Sequence, residues 1–208
     1  MIKVCLADNY PVVHFGIKSY FNNHPEISLV SNVCSFYNLT DALKNKDIDV
    51  LVIDLELDDL KSINELKTLI KSFPKTKVLV FSSLNEQIYA PNAIKAGAIG
   101  YIHKKSKLET LVASIIDVHQ GVVTLSDTIK ENLELIDKQN KNDRLYRKLS
   151  TRETEVLRYL SSGKKNKEIS KILGLNEKTI STYKLRLLKK FNVTNLVDLV
   201  NKAKSLSI

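Results

Sequence analysis

The chain is short of cysteine, of chain-breaking residues and of long apolar runs, and each shortage excludes a class of protein. Only two cysteines occur, Cys5 and Cys34, each inside a hydrophobic run. Two thiols cannot build a disulfide framework, so both are expected as buried core residues in a reducing compartment. Six glycines and four prolines in 208 residues exclude collagen-like and low-complexity chains, and an apolar fraction of 43% excludes a disordered one. Apolar runs such as Val50 to Ile53 are far shorter than the roughly 20 residues of a membrane span, so no membrane partner is expected. The first residues, Met1-Ile2-Lys3-Val4, lead straight into strand-like sequence without the pattern of a signal peptide, which predicts a cytoplasmic location. His14, His24, His103 and His119 lack metal-ligand spacing and read as solvated or partly packed side chains.

Charge, by contrast, is present in unequal shares. Residues 1–124 hold 13 Lys and Arg against 13 Asp and Glu, whereas 125–208 hold 19 against 10. Within 149–208 the count is 13 against 5, a net charge of +8 in sixty residues. That is the footprint of a module that binds a polyanion, although a lysine-coated soluble surface gives the same count.

The first half alternates β-branched runs with amphipathic stretches: IKVCLA then PVVHFGIKSYF, ISLVSNVC then LTDALKNK, DVLVID then LKSINELKTLIKSF, TKVLVFS then NEQIYAPNAIKAG, and AIGYIH then KLETLVASIIDVHQG. Strands this apolar belong to a parallel sheet covered on both faces, so the pattern predicts a doubly wound, flavodoxin-like (βα)5 layer of the α/β class. Ligands of such a layer sit beyond the carboxyl ends of the strands. From about Thr128 the sequence turns polar, and Lys138 to Lys148 reads as linker after a short helix over 129–137.

Beyond it an all-α domain of four helices is expected. Ser150 and Glu153 form a capping box that opens the first, and Gly163 ends it. The second covers Asn166 to Leu173, and Gly174 breaks it. Asn176 caps a third that runs through Phe191, and a fourth spans Thr194 to Ala203. Helix, tight turn, helix is the helix-turn-helix layout.

Strand ends in the first half bring together Asp8, Asp54, Ser82 and Lys104. Paired carboxylates favour a hard cation with oxygen ligands, for which Mg2+ is the natural occupant, and it would let an anionic phosphoryl group approach Asp54. A hydroxyl and an ammonium opposite would hold the phosphoryl oxygens. An Asp that merely caps the next helix, or a strand-end Ser satisfied by backbone, gives the same letters.

The segments LADNYPVVHFGI, VLVIDLEL around Asp54, GYIHK ending in Lys104, and LSTRETEVLRYLSSGKKNKEISKILGLNEKTIS carry a resemblance. Residues 2–118 resemble a two-component receiver domain and 148–205 resemble a LuxR-type helix-turn-helix, the pairing found in NarL/FixJ-family response regulators. The resemblance implies a receiver over 1–124, a linker over 125–148 and a DNA-binding domain over 149–208. It makes Asp54 the phosphoacceptor, Asp8 part of an acidic pocket, Ser82 and Lys104 the switch hydroxyl and lysine, and Tyr101 the aromatic that swings inward. A histidine kinase or phosphotransfer protein would be the donor, and the chain would be a transcription regulator and not an enzyme.

Departures from the pattern bear on the metal. Asn9 stands where the family has a second acid, so Mg2+ binding is expected to be weakened or absent, with Asp8, Asp54 and Glu56 as the remaining metal set. Glu56-Leu57-Asp58-Asp59-Leu60 replaces a loop that usually holds Pro and Gly, and Lys105 replaces a usual Pro. Two routes of control follow: phosphorylation of Asp54, or phosphorylation-independent dimerisation with a like chain or another regulator.

In the third helix of the C-terminal half, Lys178, Ser181, Thr182, Leu185 and Arg186 recur at three- and four-residue steps and form one face for the major groove of double-stranded DNA. Thr182, Lys184 and Arg186 are the candidates for base edges, and Lys178, Thr179, Lys189 and Lys190 for phosphates. Lys164, Lys165 and Lys167 open the second helix, where its amides could join them on a phosphate. Leu196, Val197, Leu199 and Val200 resemble the dimerisation helix of the family, or else pack within the bundle. Two other classes stay open. A nucleotide-binding enzyme is disfavoured because Asn9-Tyr10-Pro11 stands where a Gly-rich loop would be, and the basic helices could instead bind protein.

Overall fold

Five short runs dense in Val, Ile and Leu become strands because helices cover them on both faces. In a computed structural model that describes residues 1–126, 129 and 149–205, these are β1 (Ile2–Ala7), β2 (Ile27–Val33), β3 (Val50–Ile53), β4 (Lys77–Ser82) and β5 (Gly100–His103). All are parallel, in the order β2-β1-β3-β4-β5. The four residues of central β3 are all buried, which accounts for its unbroken apolar run. Helices α1 (Pro11–Phe21), α2 (Phe36–Asn45), α3 (Ile63–Ser72), α4 (Glu86–Ala96) and α5 (Leu108–Gln120) make the crossovers. One face of the sheet packs Val4, Leu6, Val50, Val52 and Leu79 against Ile17 and Phe21 of α1 and Leu111, Ile115 and Val118 of α5.

The strand order reverses between β1 and β3, so a crevice opens past their carboxyl ends. Asp8 follows β1 directly, Asp54 follows β3, Ser82 closes β4 and Lys104 follows β5. Register carries them to one edge: Ala7 pairs with Ile53, Ile53 with Val80, and Ser82 with His103.

Two expectations are corrected. Cys34 is exposed, not buried, because edge strand β2 makes its last pairing at Val33 and the chain then turns toward Ser35, the N-cap of α2. Cys5 is buried as expected, and burial pushes its thiol up to about 12, so it stays protonated and inert. His14 is buried as well, since it shares the inward stripe of α1 with Ile17 and Phe21.

The chain divides into two compact units, Met1–Asn132 and Leu133–Ile208. The expected linker over 125–148 and its helix over 129–137 lie outside the described residues, apart from Leu125, Ser126 and Ile129. Among the described residues no helix is long and apolar enough to cross a membrane.

The second unit contains α6 (Thr151–Ser161), α7 (Asn166–Leu173), α8 (Glu177–Phe191) and α9 (Leu196–Ser205). Val156, Leu157, Leu160, Ile169, Ile180, Leu187, Phe191, Leu199 and Ala203 form its own core. Gly174 adopts φ of 63°, the left-handed conformation that turns α7 into α8 and that a side chain resists. Ser150 Oγ accepts from the Glu153 amide at 3.3 Å while the Ser150 amide donates to Glu153 Oε2 at 2.7 Å. Lys190 Nζ, from α8, reaches the same Oε2 at 2.6 Å and so ties α8 to the cap of α6.

Burial alone would raise the pKa of Glu153, but Lys190 and the two Ser150 hydrogen bonds outweigh it and hold the carboxyl below the usual range. A lowered folded-state value stabilises fully above about pH 4.3 and is lost as pH falls through the lowered value. Glu153→Gln should therefore destabilise the C-terminal unit by about 1–2 kcal/mol at pH 7. In urea unfolding the gap from wild type should close toward pH 3, and a gap that did not change with pH would contradict the ion pair.

Candidate functional site

The crevice beyond β1 and β3 is built around buried carboxylates that share one cation. Lys104 Nζ stands 2.5 Å from Asp54 Oδ2 and 2.7 Å from Asp8 Oδ2. Both acids are essentially inaccessible, Asp8 at 0% and Asp54 at 1% exposure. Burial pulls the lysine toward neutrality, but its hydrogen bonds to Asp54 and Asp8 and the charge of both outweigh that and raise it, so it remains an ammonium. The Tyr10 ring lies under the same ammonium, 5.0 Å away.

The other oxygen of Asp54, Oδ1, accepts from Ser82 Oγ at 2.6 Å and from the Glu56 amide at 3.1 Å. Ser82 is fully buried. Tyr101 is 1% exposed, and its hydroxyl donates to the Leu84 carbonyl at 2.9 Å. Burial raises the phenol, so it keeps its proton and goes on donating. The hydroxyl and aromatic expected to move inward are thus already inward.

Asn9 holds the loop after β3. Its Nδ2 donates to the Glu56 carbonyl at 2.6 Å and to Asp58 Oδ1 at 3.1 Å, while its Oδ1 accepts from the Asp58 amide at 2.7 Å. Asp59, at the usual glycine place, takes φ of 67°, so the loop keeps a left-handed residue without glycine. An Asp tolerates that conformation better than most side chains do.

These contacts decide how a divalent cation would be met. The Asn9 amide covers the Glu56 carbonyl, Asn9 Oδ1 is taken by Asp58, and Lys104 faces both carboxylates. Among the described residues no three His, Cys, Asp or Glu side chains are grouped to hold a metal ion. The expected set of Asp8, Asp54 and Glu56 is corrected accordingly: the pocket gathers the two aspartates, and Glu56 is an exposed loop residue that turns its backbone to it. As arranged, the residues offer a divalent cation two aspartate carboxylates already shared with Lys104, a set poorer in charge than one with a second acid at position 9.

The C-terminal unit presents a second surface. On α8, Lys178, Thr182, Leu185, Arg186 and Lys189 are exposed, and Thr179, Ser181 and Lys184 are half-exposed. Lys164, Lys165 and Lys167 are exposed at the start of α7. Ser181 Oγ accepts from Asn166 Nδ2 at 3.1 Å, which links the two helices of the motif. The Arg186 guanidinium lies 5.8 Å from the Tyr183 ring. Two assignments change. Lys190 is engaged with Glu153 inside its own unit at 2.6 Å, its side chain turned toward the α6 cap and away from the outer stripe of α8. Leu199 is 0% exposed and packs in the core with Phe191, so it offers nothing to a second chain, whereas Val197 is 67% exposed.

Sequence reading missed three residues of the pocket: Asn9 as a clamp, His14 and Tyr10. His14 Nε2 stands 2.6 Å from the Asp8 carbonyl, and a carbonyl only accepts, so Nε2 carries the proton. Its place three residues before Ile17 and seven before Phe21, on the buried stripe of α1, was the available signal.

Removing Lys104 would strand two buried like charges. Lys104→Met should destabilise the N-terminal unit by about 3–5 kcal/mol, and adding Asp8→Asn should recover part of that loss. Urea titration of both variants checks this, and additive losses would mean that the lysine does not hold the pair together.

Comparisons with known proteins identify the family of both units. The response regulator receiver domain model matches residues 4–116, and the luxR family of bacterial regulatory proteins matches 147–203. The chain is 30% identical over 197 residues to the transcriptional regulatory protein YhcZ of Bacillus subtilis, covering 93% of this chain and 91% of that one. It is 30% identical over 205 residues to the Fimbriae Z protein of Salmonella typhimurium, covering 98% and 96%. RcsB of Salmonella enterica serovar Typhimurium, solved on a promoter in the presence of phosphomimetic BeF3-, superposes with a TM-score of 0.81 at 26% identity, covering 98% of each chain. Receiver domains generally bind Mg2+ for phosphorylation. The chain therefore belongs to the NarL/FixJ family of two-component response regulators, a transcription regulator and not an enzyme, with a receiver domain followed by a LuxR-type helix-turn-helix domain.

Proposed function

We propose that this cytoplasmic regulator sets α8 into the major groove of duplex DNA, and that its receiver over 1–124 controls a DNA-binding domain over 149–208 through the linker 125–148. The observation that carries the reading is the exposed stripe Lys178, Thr182, Leu185 and Lys189, with Arg186 beside it, on a segment of net charge +8. Thr182, Lys184 and Arg186 face base edges. Lys178, Thr179, Lys189 and the lysines at 164, 165 and 167 hold phosphates, which positions the helix without specifying sequence. Val197 and Val200 on α9 contribute to pairing with a second chain, either a like copy or another regulator.

Control enters through Asp54. A carboxylate oxygen attacks the phosphorus of a phosphohistidine on a kinase or phosphotransfer protein. The new O–P bond forms as the P–N bond breaks, and the imidazole leaves. Lys104 and Ser82 then turn from the free carboxylate to the phosphoryl oxygens. Mg2+ binds weakly here, because Asn9 adds no charge and occupies the Glu56 carbonyl. A second reading, control by dimerisation without phosphorylation, is favoured by Ser82 already on Asp54 and Tyr101 already inside.

Mobility shifts on random-sequence duplex DNA should weaken steeply with salt, because several phosphate contacts release counterions. A log-log slope near zero would remove the nucleic-acid reading. Asn9→Asp should tighten Mg2+ on the order of tenfold by calorimetry. Acyl phosphate with Mg2+ should add one phosphoryl group to the intact mass, absent in Asp54→Asn. An unchanged wild-type mass would select the phosphorylation-independent route.

A further inference from the structure

Leu185 is an apolar side chain left 61% exposed in the middle of a polar face. The fold does not require it there. The inward stripe of α8, Ile180, Leu187 and Phe191, is fully buried and already supplies the helix's share of the core. The outward stripe runs Lys178, Thr182, Leu185, Lys189, at steps of four, three and four residues, and all four are exposed. Lys178 and Lys189 are eleven residues apart, about 16 Å along a helix at 1.5 Å per residue. That span exceeds the roughly 12 Å width of a major groove, so cations at its two ends can meet the flanking backbones while Leu185 lies between them. Thr182, one turn before Leu185, has its hydroxyl donating to the Lys178 carbonyl at 3.0 Å.

An apolar side chain at the floor of a polar groove has one complementary group among the four bases, the C5 methyl of thymine. We infer that Leu185 reads that methyl and makes this regulator select a thymine at one fixed position of each half-site. The inference rests on the proposed DNA-binding role of α8 and adds to it a chemical rule of sequence choice. Charge complementarity argues for the partner: the leucine shares its exposed side of α8 with Lys178, Arg186 and Lys189, which a polyanion attracts and an apolar protein surface does not. Lysine contacts on phosphates bind every sequence alike, so discrimination has to come from the groups between them.

The test uses the full-length chain and duplex sites selected by it from a randomised pool. Wild type should enrich sites with an invariant T·A pair. Replacing that thymine by deoxyuridine, which deletes only the methyl, should weaken binding about fourfold, the worth of one buried methyl. Leu185→Ala, a change at an exposed position, should bind the thymine and uracil sites equally and enrich sites without the preference, with its salt dependence unchanged. Wild-type affinities that are the same for thymine and uracil at every enriched position would overturn the methyl rule while leaving DNA binding intact. Failure to enrich or retain any duplex at low salt would overturn the DNA-binding reading itself.

Discussion

One ammonium between two buried carboxylates organises the receiver. Asp8 and Asp54 are brought to the same crevice by the reversal of strand order at β1 and β3, and neither reaches bulk water. Two such charges repel unless a cation shares them, and Lys104 is that cation. Its position follows from β5, whose end is fixed by the Lys104 amide donating to the Ser82 carbonyl at 2.9 Å. The Asp54 carboxylate, the Ser82 hydroxyl and the Lys104 ammonium are therefore one electrostatic unit spread over three strands. Any group that binds Asp54 has to compete for the lysine first.

The clamp formed by Asn9 works at the other side of the same crevice. Where an acid would repel Asp58 and Glu56, an amide donates to the carbonyl of one and both donates to and accepts from the other. These three hydrogen bonds fasten the loop after β3 to the end of β1. The bridge from Asp58 to Ser35 and the Phe36 amide donating to the Asp58 carbonyl at 2.9 Å extend the clamp to the start of α2. Loss of charge and gain of hydrogen bonds are here the same substitution, which is why a pocket poorer in acid remains ordered.

The reading head solves a different problem, that of presenting cations on a helix too short to be stable alone. Its core does this by burying one stripe of α8 and leaving the opposite stripe exposed. Lys190 and Lys202 are drawn inward, to Glu153 and to the Phe191 carbonyl at the end of α8, so part of the positive charge holds the scaffold while Lys178, Arg186 and Lys189 face outward. Net charge by itself does not separate these two uses.

Much of this was legible in the residues. Periodicity settled the five strands and the four C-terminal helices, since burying a parallel strand demands a continuous apolar run and burying a helix face demands recurrence at three and four. Ser150 with Glu153, Gly174 and Asn176 marked helix ends through short-range hydrogen bonding and backbone strain, which depend on neighbours in the chain alone. Asp8, Asp54, Ser82 and Lys104 were legible as strand ends. Only the tertiary structure decided that Lys104 bridges the two acids, that Asn9 grips Asp58 forty-nine residues away, and that Tyr101 and His14 are buried. It alone also separated Lys190 from Lys189 and Leu199 from Val197. The reason is one of range: local patterns state which face of an element is apolar, whereas the partner met across a gap depends on how several elements pack, and no single stretch of sequence encodes that.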